Sequence, residues 1–130
     1  MKTAANLRAQ SAFTLIELLV VLAIIAVLAT LALPKYFQSI DTARETVLVE
    51  NLRNTRDTID KFYADTGKYP ESLDELVEKK YLRALPLDPI TDSRSSWIIV
   101  PPDADNPGKV AGIASGAAGQ DRNGVAFSEL

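Results

Sequence analysis

The sequence predicts an α+β fold: a long N-terminal α-helix, made of a membrane half and an amphipathic half, followed by a small C-terminal antiparallel β-sheet. Three observations predict it. Phe13–Leu33 is an apolar run holding a single charge, Glu17. Residues 35–66 place apolar side chains at gaps of three and four. Beyond Gly67 that period stops, and prolines, glycines and short β-branched runs take over.

The run from Phe13 sets the organisation. About 21 residues at ~1.5 Å each make a helix of ~31 Å, close to the ~30 Å hydrocarbon thickness of a bilayer. Residues 1–12, MKTAANLRAQSA, carry Lys2 and Arg8 and no acid, a cytoplasmic flank by the positive-inside rule. An ordinary secretory signal peptide fits less well: its apolar region is shorter, and no A-x-A cleavage signal follows this one. Ala23, Ala26, Ala29 and Ala32 recur every third residue as a small-residue ridge of the kind that lets membrane helices approach closely. Ordinary membrane composition explains them equally well.

Pro34 ends the lipid-length segment. It has no amide hydrogen and crowds the preceding turn, so a helix break or kink is expected around Thr30–Pro34, with the helix resuming afterwards. In residues 34–66 the apolar stripe is Tyr36, Phe37, Ile40, Ala43, Val47, Leu48, Leu52, Ile59, Phe62 and Tyr63. The opposite face holds Asp41, Arg44, Glu45, Glu50, Arg53, Asp57, Asp60 and Lys61, with Asp57 and Lys61 in the favourable i, i+4 order. Gly67 is the expected C-terminal cap.

Residues 67–130 form the head. Ser72-Leu73-Asp74-Glu75 is a capping-box pattern opening a short helix to about Lys80. Leu85-Pro86-Leu87-Asp88-Pro89 is an extended loop, because each proline biases its predecessor away from helix. Strands are expected at 97–100 and 109–114, and Asn123-Gly124 marks a turn into a third, Val125–Ser128.

Composition limits the chemistry. The chain has 130 residues, no cysteine and no histidine, and a formal charge of −3. Disulfides and thiol chemistry are excluded, as are the commonest general base and metal ligand. No polybasic surface suits a nucleic acid. Asp88 and the Asp103/Asp105 pair lie in proline-rich turns of a small domain with no nucleophile pattern beside them, so they read as surface turns. An enzyme is not expected.

Ala12-Phe13-Thr14-Leu15-Ile16-Glu17, running at once into the apolar helix, resembles the N-terminal signature of type IV pilins and type II secretion pseudopilins. GKYPESLDELVEKKYLRALPLDPITDSRSSW is similar to the region after the long helix in the major, G-type pseudopilin, so the resemblance covers nearly the whole chain from Ser11. It implies a type IV pilin-like fold with no catalytic residues. It also implies a leader at 1–12 removed by prepilin peptidase, with cleavage between Ala12 and Phe13 and N-methylation of Phe13. The 13–33 helix then serves both as membrane span and as polymerisation surface. Ala12 departs from the usual glycine at the cleavage site.

In a helical filament of identical copies, Glu17 of one subunit would meet the Phe13 ammonium of a neighbour. Two unit charges ~4 Å apart at an effective dielectric of ~20 attract by ~4 kcal/mol before desolvation, against ~2.5–3.5 kcal/mol to insert a central membrane carboxylate. The plainer alternative is that Glu17 snorkels to the interface. Minor pseudopilins, the inner-membrane assembly platform, motor and secretin are the further partners implied. The location implied is the bacterial inner membrane, single-pass, with the head in the periplasm. Rival readings are a type IV pilin or minor pilin of an adhesion, motility or DNA-uptake filament, and an anchored enzyme or sensor. Calcium is implied in the loop after the second strand, where Asp121 is the one carboxylate and Asn123 a further oxygen donor. One strong ligand predicts weak binding, and a glycine-rich loop with a solvated Asp is the plainer reading.

Overall fold

The computed structural model describes residues 12–130. The expected features of the leader that fall on residues 1–11, including Lys2 and Arg8, lie outside the described residues. The elements in order are α1 (Leu15–Thr66), α2 (Leu73–Glu78), β1 (Ile98–Val100), β2 (Gly112–Ala114) and a 3-10 turn (Phe127–Glu129). By its internal contacts the chain divides after Ser39, and each part has its own logic.

Up to Ser39 every described residue is solvent-exposed, and α1 is the sole element among the described residues. The helix starts where Thr14 caps it: the Thr14 hydroxyl accepts from the Glu17 amide at 3.2 Å, and the Thr14 carbonyl accepts from Leu18 at 3.1 Å. Pro34 lies inside the helix, which continues through it over 52 residues. The expected loss of helix at Pro34 is therefore corrected. A proline removes one donor from the ladder, and in an otherwise strong helical sequence the bonds on either side carry the path across. Nearby, the Thr30 hydroxyl turns back on the Val27 carbonyl at 2.6 Å, satisfying itself within the apolar run.

From Ile40 onward a core appears. Leu48, Leu52, Thr55, Ile59 and Phe62 are the buried residues of α1, at gaps of four, three, four and three. The four apolar ones, Leu48, Leu52, Ile59 and Phe62, pack with Leu73, Leu76, Trp97, Val110, Ile113, Ala117 and Phe127. At roughly 1.5–3 kcal/mol for each large side chain withdrawn from water, this cluster dominates the stability of the head. The expected stripe is right in period but too long. Tyr36, Phe37, Ala43 and Val47 are exposed: the apolar core of the head begins at Leu48, and before it only Ile40, Thr42 and Glu45 are half-buried. Thr55, absent from the expected stripe, is buried at the position its period requires, with its hydroxyl donating to the Asn51 carbonyl at 2.8 Å.

The α1 terminus follows expectation: Gly67 takes φ +76° and its amide reaches the Tyr63 carbonyl at 2.8 Å. In α2 the Ser72 hydroxyl caps the Glu75 amide as expected. The return bond is shifted by one residue, Glu75 accepting from the Glu71 amide at 2.7 Å. The Asp57–Lys61 pair does not form; the ion pairs among the described residues are Glu50–Arg53, Glu71–Lys109 and Glu45–Arg122.

The sheet is antiparallel, with Ile98 opposite Ala114, Ile99 opposite Ile113 and Val100 opposite Gly112. The third expected strand is corrected. Only an isolated bridge, Gln120 with Ala126, precedes the 3-10 turn that buries Phe127. Putting the Phe127 ring into the core turns the chain inward, and a strand continuing straight would have left it in water.

Asp88 is also corrected. It is wholly buried rather than on a surface turn. Its Oδ1 accepts from the Ile90 and Thr91 amides at 2.9 and 3.3 Å, and its Oδ2 accepts from the Ser115 hydroxyl at 2.6 Å. The Ser115 oxygen in turn accepts from the Ala117 amide at 3.1 Å. One carboxylate thus ties the Leu-Pro-x-Asp-Pro loop to the segment after β2. Trp97 adds a second tie, its indole nitrogen donating to the Pro86 carbonyl at 2.8 Å. Asp103 and Asp105 are exposed, as expected.

Candidate assembly site at the start of the long helix

The residues that carry the N-terminal signature sit together at the start of α1. Phe13 lies two residues ahead of the helix and is 82% exposed. Glu17 stands in the first turn, at the third helical position after the Thr14 cap. Phe13, Ile16, Glu17, Val20 and Val21 line one shallow groove, which places the ring and the carboxylate on a common face. Thr14-x-x-Glu17 has the spacing of a capping box, a signal the sequence reading passed over. It explains why the helix opens at Leu15 rather than at Phe13.

The position of Glu17 has an electrostatic consequence. A carboxylate in a first turn faces the positive end of the helix dipole, worth about 0.3–1 kcal/mol at exposed sites. That is several-fold below the ~4 kcal/mol attraction of an ammonium at ~4 Å and an effective dielectric of ~20. The dipole offsets only part of the ~2.5–3.5 kcal/mol cost of a membrane carboxylate, and a cation would be the stronger partner. The groove one turn on, lined by Val20, Ala23, Ile24, Val27 and Leu28, has no polar side chain. Every described residue up to Ser39 is exposed, so among the described residues nothing covers this surface.

The second candidate site is the loop after β2. Asp121 is half-buried rather than freely solvated: its Oδ1 accepts from the Asn123 and Val125 amides at 2.8 and 2.9 Å. Asn123 is exposed and contributes its amide to that turn. No group of three or more acidic, histidine or cysteine side chains is placed to hold a metal among the described residues. One carboxylate with an oxygen already committed does not fit calcium, which takes six to eight oxygens, largely from carboxylates and carbonyls. Sequence reasoning also missed Arg56, whose guanidinium donates to the Ile113 and Leu130 carbonyls at 2.9 and 2.6 Å, joining α1 to β2 and the final residue. No local pattern announces it.

An apolar helix able to span a bilayer, with one acid in its first turn and a small α+β head, defines a membrane-anchored, single-pass protein of type IV pilin-like build. Residues 7–33 match the prokaryotic N-terminal methylation motif. The chain is 34% identical over 98 residues to the type II secretion system core protein G of Pseudomonas aeruginosa, across 63% of this chain and 69% of that protein. No solved structure matches. The chain belongs to the type II secretion pseudopilin family.

Proposed function

We propose that the chain is a structural subunit of a periplasmic pseudopilus that drives type II protein secretion. Prepilin peptidase cuts between Ala12 and Phe13 and methylates the new amino terminus. Copies then assemble through their N-terminal helices, Glu17 of each meeting the Phe13 ammonium of a neighbour. The subunit is anchored in the bacterial inner membrane with its head in the periplasm. Its partners are further copies of itself, minor pseudopilins and the inner-membrane assembly platform. Its work is mechanical, with no catalytic residues.

The observation that carries this reading is the pairing of an unburied apolar helix with an acid on the same face as Phe13. An anchor alone needs no carboxylate there. A polymerisation surface does, because the ion pair offsets the insertion penalty only when a neighbour is docked in register. Cleavage and assembly are then linked, since the ammonium exists only after the cut.

Mass spectrometry of the membrane-fraction protein tests the maturation step. The expected chain begins at methylated Phe13, and a chain still beginning at Met1 overturns it. Glu17→Val tests assembly: the variant should insert and be cleaved normally yet form no filaments, and filaments of unchanged yield would sink the pairing.

A further inference from the structure

We propose that the loop from Ser115 to Val125 is fastened to α1 by the Arg122 guanidinium in the role a metal ion would otherwise fill, so that the head folds without calcium. The arrangement is independent of the reading given above and would hold in a pilin as well as in a pseudopilin.

Two sets of bonds build the fastening. Within the loop, Asp121 acts as a turn-holder. Its Oδ1 receives the Asn123 and Val125 amides, its own amide donates to the Val125 carbonyl at 2.8 Å, and its carbonyl accepts from Gly124 at 3.0 Å. A side chain that closes its own turn in this way needs only an acceptor oxygen, which Asn supplies as well as Asp. Between loop and helix, the Arg122 amide donates to Glu45 Oε1 at 3.2 Å, its Nε stands 3.7 Å from Glu45 Oε2, and its Nη1 donates to Thr42 Oγ1 at 3.2 Å. The Glu45 side chain is 16% exposed, so this pair is shielded better than the other ion pairs of the head.

Three carboxylates, Glu45, Glu50 and Asp121, line the cleft of about 330 Å³ between loop and helix, and each is already engaged. Glu45 holds Arg122, Glu50 holds Arg53, and Asp121 holds two amides. Arg53 and Arg122 line the same cleft, so a divalent cation entering it would meet two guanidinium groups. Guanidinium supplies positive charge with directed donors and keeps it at any relevant pH. It can therefore join a carboxylate to a loop without a coordination shell.

The test uses the full chain in detergent, with thermal unfolding followed by the near-ultraviolet signal of Trp97. Melting temperature should agree within about 1 °C between millimolar calcium chloride and excess chelator; a site filled at a hundred times its Kd would raise it by roughly 10 °C or more in a head of this size. Asp121→Asn should melt with the parent, whereas a calcium site would lose its one loop carboxylate and fall steeply. Arg122→Ala should lower the melting temperature equally with and without calcium, and Arg122→Lys should recover part of the loss. Glu45→Gln should add little to Arg122→Ala when the two are combined. A calcium-dependent rise in the parent, a large loss in Asp121→Asn, or an Arg122→Ala variant as stable as the parent each overturns the proposal.

Discussion

The two parts of α1 obey the same local rules and reach opposite outcomes. From Leu48 to Phe62 the helix buries five side chains against the rest of the head, while from Leu15 to Ser39 it buries none. Helical propensity does not separate them, since both are assigned helix without interruption. What differs is who supplies the partner. The head brings Trp97, Val110, Ile113 and Phe127 to its helix from the same chain, whereas the first part, apolar from Leu15 to Leu33 except for Glu17 and Thr30, buries no side chain and finds no such partner among the described residues. A substitution in the head should therefore register as lost folding stability. One before Ser39 should register as lost insertion or assembly with the melting of the head unchanged.

The largest effect should come from emptying the core. Phe62→Ala removes a wholly buried ring that also meets Tyr81 edge-on at 5.1 Å between centroids. Such truncations destabilise by about 3–5 kcal/mol, which in a head of this size lowers the melting temperature by well over 10 °C. Leu28→Ala, an equally apolar truncation at an exposed position, should leave the head signal where it was. If Leu28→Ala moved the melting of the head, the division at Ser39 would have no energetic meaning.

Next comes Asp88→Ala. It deletes an acceptor for two amides and one hydroxyl in a dry environment and orphans the Ser115 hydroxyl. Bonds to a charged group contribute about 1.5–3 kcal/mol, and the stranded donors add to the loss, so a destabilisation of about 3 kcal/mol is expected in chemical denaturation. Asp88→Asn keeps an oxygen for the amides and should lose clearly less. Equal losses would mean that the loop depends on charge rather than on these bonds.

Asp88 also shows where the sequence stops being informative. Period and punctuation made α1, the Gly67 cap, the Ser72 cap and the β1–β2 hairpin legible, because each is decided within a few residues. The N-terminal motif was legible for the same reason, since Phe13 and Glu17 lie four residues apart in one short stretch. Asp88 owes its burial to Ser115, and Arg56 owes its role to Ile113 and Leu130, partners so distant along the chain that no local pattern contains them. Pro34 failed differently. The local rule was sound but was outweighed by the helix around it.

Gly116→Ala is an intermediate case. A Cβ at this glycine would run into the Ser96 carbonyl oxygen, which is backbone and cannot swing away. The segment after β2 would have to lift from the residues before β1, a strain of about 1–3 kcal/mol by the measure of overpacked cores. Gly67→Ala, where there is open space but φ is +76°, should carry only the smaller penalty of a left-handed residue, about 1 kcal/mol. The two melting curves should fall in that order.

The smallest effect lies at the rim of the head, where the Tyr81 hydroxyl donates to Asp65 Oδ2 at 2.8 Å. The bond to the Asp65 carboxylate raises the Tyr81 phenol above its ordinary value, with burial and the carboxylate's charge adding in the same direction. A phenol whose pKa is raised by folding stabilises the fold below the ordinary tyrosine value and loses that contribution as pH climbs through the raised one. Tyr81→Phe keeps the ring against Phe62 and deletes only the hydroxyl. It should therefore melt slightly below the parent at neutral pH. The gap should close in strong alkali, where the parent's phenolate would face Asp65. In a tyrosinate absorbance titration the variant should lack a step that the parent shows above the ordinary tyrosine value. A gap that stayed constant across the alkaline range would assign the loss to packing, and the rim of the head would then resemble its core more than the exposed start of α1.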